Sequence, residues 1–143
     1  MTFLLDVNVL IALVDPAHVG HDLAHDWFAR EGRTSWATCP LTENGLIRIV
    51  GHPRYPNSLG SPAAAMELLN RLCALPGHVF WGDAISLRDA PNLDASKILA
   101  PAQVTDVYLL ALAAANAGVL ATLDKRLPTN AVARGREYLR IIG

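Results

Sequence analysis

FLLDVNVLIALV, residues 3–14, decides the fold. Phe3, Leu4 and Leu5 form an apolar run short enough for a buried parallel strand, and Asp6 stands where that strand must end. Val9, Leu10, Leu13 and Val14 then repeat at helical spacing. A strand that stops at an acid and turns straight into a helix puts the acid at the carboxyl edge of a sheet, where open α/β folds place their ligands. Asp6 is therefore the first candidate site residue. The competing reading is that it only caps the helix, since Asp is a favoured N-cap.

The same strand, acid, helix order recurs along the chain. Asp15 and Pro16 break the first helix, and His18 to Arg30 forms a second with Val19, Leu23, Trp27 and Phe28 on its apolar face, ended by Gly32. His21 and His25 stand one helical turn apart, a spacing used by zinc sites, but the Glu and third ligand of the helical zinc motif are missing, which leaves a solvated polar face. Thr34 to Thr38 reads as a strand, and Cys39 and Pro40 open the helix PLTENGLIRIV with Glu43 in its first turn. Glu43 is thus either an acid favoured by the helix dipole or a second carboxylate at the sheet edge. The stretch from His52 to Pro62 is a surface loop, Ser61 caps a helix that carries Met66, Leu69, Leu72 and Cys73 inward, and Pro76 and Gly77 stop it.

A third strand, His78 to Trp81, is followed by Asp83 and a polar stretch to Leu99 in which Asp89 and Asp94 read as solvated or capping residues. Thr105 to Ala117 carries the strongest helical pattern, with Thr105 as N-cap, Asp106 in the first turn and Gly118 as the stop. Val119 to Leu123 is a fourth strand ending at Asp124, and Tyr138 to Ile142 is the last. These elements predict an α/β fold, a single domain over residues 1–143, with a central, mostly parallel sheet of four to five strands flanked by helices on both faces.

Composition narrows the function. A chain of 143 residues fits one domain and buries on the order of 70% of the surface its unfolded form exposes. A net charge of −1 excludes a global basic field, so any nucleic-acid contact comes from a local patch. The run Val107 to Ala115 is too short for the roughly 20 residues of a membrane span, and MTFLLD reaches a carboxylate too soon for a signal peptide. Cys39 and Cys73 show no metal or redox spacing, and we read them as structural thiols of a reducing, cytoplasmic protein.

Asp6, Glu43 and Asp124 follow predicted strands, and Asp106 opens the helix before the last of these. Parallel neighbouring strands bring the four acids to one edge. Two carboxylates about 4 Å apart repel by about 4 kcal/mol at an effective dielectric near 20, and a divalent cation resolves that conflict. Hard oxygen donors suit Mg²⁺ or Mn²⁺ and a substrate that brings phosphate oxygens, which makes phosphodiester hydrolysis the natural chemistry. Arg48, Arg54, Lys125 and Arg126 are candidates for phosphate contacts, and the 52–62 loop and the 83–101 region for specificity.

Taken together, DVNVLIAL, TENGLIR, TDVYLLALAAANAG and ATLDKRL resemble, in this order, the PIN domain ribonucleases and within them the VapC-type toxins. The resemblance implies that Asp6, Glu43, Asp106 and Asp124 are the metal-binding and catalytic acids, with Asn8 and Thr105 as supporting residues. It further implies an RNA substrate, a homodimer, and a cognate VapB-type antitoxin whose amphipathic helix lies in an apolar groove. Two alternatives stay open. One is a non-catalytic PIN-like module that binds RNA or protein; the other is a phosphohydrolase with a nucleophilic Asp6, although the second Asp of its DxD motif is Asn8 here.

Overall fold

The computed structural model describes residues 1–143. In chain order it contains β1 (Phe3–Leu5), α1 (Val7–Val14), α2 (His21–Arg30), β2 (Trp36–Thr38), α3 (Pro40–Val50), α4 (Pro62–Cys73), β3 (His78–Phe80), α5 (Val104–Ala115), β4 (Val119–Thr122) and β5 (Leu139–Ile141), with short 3₁₀ turns between some of them. The strands form one sheet in the order β3-β2-β1-β4-β5, and every pairing is parallel. The chain builds outward from β1 through β2 to β3, then crosses back to lay β4 on the other side of β1. That reversal opens a crevice beyond the carboxyl ends of β1 and β4, the switch point at which open α/β sheets bind ligands.

Alternation along the strands divides the core in two. Phe3, Leu5 and Trp36 face α1, α2, α3 and α4, while Leu4, Ala37 and Leu120 face α5. Helices cover both faces, as the pattern predicts, but unequally: α5 is the principal helix of its layer, and it is accordingly buried nearly all round, from Val107 through Leu109 to Ala113. Gly45 lets α3 approach α1 closely; a Cβ there would lie 2.8 Å from the Val7 Cγ2.

Several boundaries differ from the expectation for identifiable reasons. The second helix begins at His21 because His18 Nδ1 accepts the Gly20 N–H at 2.9 Å and closes a turn instead. Thr34 belongs to a 3₁₀ turn, Gly32–Thr34, so β2 is shorter than the run TSWAT. Thr105 does not cap α5: the turn Pro101–Gln103 runs directly into the helix, and Gln103 occupies the cap. At the other end Ala117, with φ of 53°, takes the left-handed position expected of Gly118. The histidines of α2 are not merely solvated. A ring nitrogen of His21 lies 2.7 Å from the Ala12 carbonyl and one of His25 2.9 Å from that of Leu13, where they satisfy carbonyls at the end of α1. No helix is long and apolar enough to cross a membrane.

Candidate active site at the carboxyl edge of the sheet

Asp6 caps α1 and also faces the crevice, so the two readings of this residue are compatible. Its Oδ1 accepts the Val7 N–H at 2.7 Å, and its Oδ2 accepts the Thr122 hydroxyl at 2.8 Å. Asn8 ties the same corner together: its side-chain amide donates to Thr122 Oγ1 at 3.1 Å and to Asp6 Oδ2 at 3.5 Å, while its Oδ1 accepts the Leu123 N–H at 3.1 Å. Thr122 Oγ1 in turn accepts the Asp124 N–H at 3.1 Å, and Asp124 Oδ1 accepts the Arg126 N–H at 2.9 Å. Thr122 thus connects the ends of β1 and β4 through its one hydroxyl. The sequence reading missed it, and its only local signal is a hydroxyl two residues before a strand-end acid in ATLD.

Asp106 reaches this corner from the first turn of α5. Burial, then the charges of Asp6 and Asp124, push its carboxyl up to about 6. Asp6 is only 6% exposed, and burial raises its pKa against the Thr122 and Val7 hydrogen bonds, with Asp124 raising it further. Neither Asp6, Asp106 nor Asp124 has a salt-bridge partner; the ion pairs are Arg71–Glu67, Arg134–Glu137 and Arg140–Glu31. Three hard carboxylates gathered in one corner, none with a salt-bridge partner, fit a divalent cation held by Asp6, Asp106 and Asp124.

Glu43 reaches the same edge from the first turn of α3, and its carboxylate accepts the Thr38 hydroxyl at 2.7 Å. The Thr38 oxygen is also 2.8 Å from His78 Nε2, and Cys73, His78 and Glu43 present ligand atoms all within 4.8 Å of one another. Cys73 therefore does have neighbours of metal-binding type, contrary to the reading of its spacing in sequence. Burial lowers the His78 pKa against the pull of Glu43, and burial followed by Glu43 raises that of the Cys73 thiol. Thr105 is exposed and takes no part in the hydrogen bonds of the Asp6 corner. Arg48, Arg54, Lys125 and Arg126 are all exposed, and none of them forms a salt bridge.

The 52–62 surface loop is hydrogen-bonded to the end of α1. Asp15, buried at 6% exposure, accepts the Tyr55 hydroxyl, the Asn57 side-chain amide at 2.7 Å and the Ala17 N–H at 2.9 Å. The Tyr55 bond in particular holds the Asp15 carboxyl below its ordinary value.

The PIN domain family model matches residues 3–133. Ribonuclease VapC44 of Mycobacterium tuberculosis is 43% identical over 132 residues, 92% of each chain. Ribonuclease VapC39 of the same organism is 41% identical over 133 residues, 93% of this chain and 96% of its own. Among solved structures, VapBC2 from Rickettsia felis, bound to a DNA fragment from its promoter, superposes with a TM-score of 0.57 over 88% of this chain and 90% of its own, and at 11% identity that likeness speaks to the fold alone. A parallel sheet with acids at its switch point, matched over nearly its full length to these relatives, places the chain in the PIN domain family, among the VapC-type ribonucleases.

Proposed function

We propose that this protein is a Mg²⁺- or Mn²⁺-dependent endoribonuclease, the toxin of a toxin–antitoxin pair, and that Asp6, Asp106 and Asp124 hold the ion. The observation that carries this reading is the meeting of three carboxylates at the β1/β4 crevice with no basic partner. When bound, a divalent cation supplies a nucleophile at neutral pH and stabilises the charge that builds on the scissile phosphodiester.

The chain's own residues set the geometry. The Val7 N–H and the Thr122 hydroxyl fix both oxygens of Asp6, so that carboxylate is oriented before any ligand arrives. Asn8 locks the Thr122 hydroxyl and the backbone at Leu123, and through them the approach of Asp124. Glu43 is the fourth acid of the reaction, and the Thr38 hydroxyl orients it through its Oε2. Exposed Arg48, Arg54, Lys125 and Arg126 position the RNA through its phosphates.

Membership among VapC-type ribonucleases supports a cognate VapB-type antitoxin as partner, a homodimeric toxin and a cytoplasmic site of action. The test is cleavage of RNA by the purified protein. Cutting with Mg²⁺ or Mn²⁺ and none in EDTA supports the reading; full cleavage with metal shown to be absent refutes the mechanism. Co-expression with the adjacent small gene is expected to restore growth that the protein alone slows.

A further inference from the structure

A second constellation sits beside the acidic corner and uses chemistry that the corner lacks. Cys73 is the last residue of α4, and His78 is the first of β3. The turn between them closes on Gly77, whose φ is 89° and where a Cβ would lie 2.3 Å from the Arg33 carbonyl oxygen, so only glycine fits. That turn folds Cys73 back toward His78. Parallel register then sets His78 opposite Trp36, two residues short of the pairing that ends at Thr38, and its ring rests on the indole with centroids 4.7 Å apart. Glu43 enters from the first turn of α3. A thiol, an imidazole and a carboxylate from three elements thus come within 4.8 Å of one another.

We propose that Glu43, Cys73 and His78 form a site for a thiophilic divalent cation of the Zn²⁺ class, separate from the Asp6, Asp106 and Asp124 cluster. In a tetrahedral site with bonds of about 2.0–2.3 Å, neighbouring ligand atoms lie about 3.5 Å apart, so the set closes by side-chain shifts on the order of 1 Å once the Thr38 hydroxyl, which now lies 2.7 Å from Glu43 and 2.8 Å from His78 Nε2, turns aside for the ion. A thiolate and an imidazole select Zn²⁺ over Mg²⁺, which requires hard oxygen donors. Three protein ligands leave the fourth position to water. All three side chains are half-buried, so the ion has a route in from solvent.

The site has a consequence that rests on the function proposed above. Ligation by the thiophilic ion holds Glu43 at Cys73 and His78, in competition with the three aspartates. Zn²⁺ here withdraws the fourth acid and silences the nuclease, whereas Mg²⁺ at the aspartates activates it.

Metal binding is measured on the full chain without RNA, so its outcome is independent of whether the protein is a nuclease. Zn²⁺ is titrated against a chromophoric chelator, and Co²⁺ is followed by absorption for the thiolate-to-metal charge-transfer band. The wild type binds one tight equivalent of Zn²⁺ and shows the Co²⁺ band, and Cys73→Ser and His78→Gln each weaken Zn²⁺ at least tenfold. Cys39→Ser retains the band, which assigns it to Cys73. Absence of the band in the wild type, or unchanged Zn²⁺ affinity in both variants, overturns the site even if the variants lose stability. For the consequence, Zn²⁺ inhibition of Mg²⁺-dependent cleavage is weakened in Cys73→Ser; equal inhibition in wild type and variant puts the inhibiting ion among the aspartates and removes the regulatory role.

Discussion

The Thr122 hydroxyl donates to Asp6 Oδ2 at 2.8 Å and thereby couples the ends of β1 and β4, the two strands on either side of the switch point. It also accepts the Asp124 N–H, so one side chain orients two of the acids. Thr122→Val keeps the shape and removes the hydroxyl. Groups that orient a metal ligand are typically worth 10- to 100-fold in affinity or activity, and a loss of that size is expected here. Because the Thr122 bond lowers the Asp6 pKa, its removal moves the acid limb of the pH–rate profile to higher pH. A rate within about twofold of wild type with an unmoved profile would show that Thr122 does not position Asp6.

Asp106 provides a pH test without RNA. Its carboxyl is raised from 3.8 to about 6, so in chelator the folded state holds a proton that the unfolded state has released between those values. Stability of the metal-free protein therefore falls as pH rises from about 4 to about 6. Asp106→Asn removes this contribution. Its melting temperature at pH 7 is expected to exceed that of wild type by a few °C, on a scale of about 2–4 °C per kcal/mol for a chain of this size. Mg²⁺ raises the wild-type melting temperature and raises that of the variant less. Calorimetry in chelator that finds the variant less stable than wild type at pH 7 would contradict the repulsion.

The Asp15 tether predicts the opposite pH behaviour. Its carboxyl is held below 3.8, chiefly by Tyr55, so the stability it contributes is present above that value and is lost as pH falls through the lower folded pKa. Tyr55→Phe leaves a buried carboxylate short of one donor and is expected to cost about 1–3 kcal/mol at pH 7, with the cost shrinking in acid below about pH 4. Limited proteolysis should cut the variant within residues 52–60 sooner than the wild type.

What was legible in the chain was what a local pattern encodes. An apolar triplet that stops at Asp6, and the run ending near Asp124, announced strands at the switch point, and the parallel α/β fold followed from their order. Thr105 was misplaced as a cap because a threonine before an acid carries the cap signal whether or not a preceding turn continues into the helix, as Pro101–Gln103 does. The remaining features depend on register and on turns, which spacing does not reveal. Thr122 matters because β4 lies beside β1; His78 meets Thr38 because β3 pairs with β2 in a particular frame; Cys73 reaches both because Gly77 folds the chain back. Asp15 looked like a helix breaker and is one, but its carboxylate is also the anchor for a loop that starts nearly forty residues later.

The central claim is that the carboxylates at the β1/β4 crevice cut RNA internally, and sequencing of RNA 5′ ends after brief expression tests it most directly. Wild-type protein is expected to generate new ends at a restricted set of positions within minutes, and Asp6→Asn, expressed to the same level and folded by circular dichroism, to generate none of them. The same new ends from Asp6→Asn as from wild type, at equal abundance, would contradict the account.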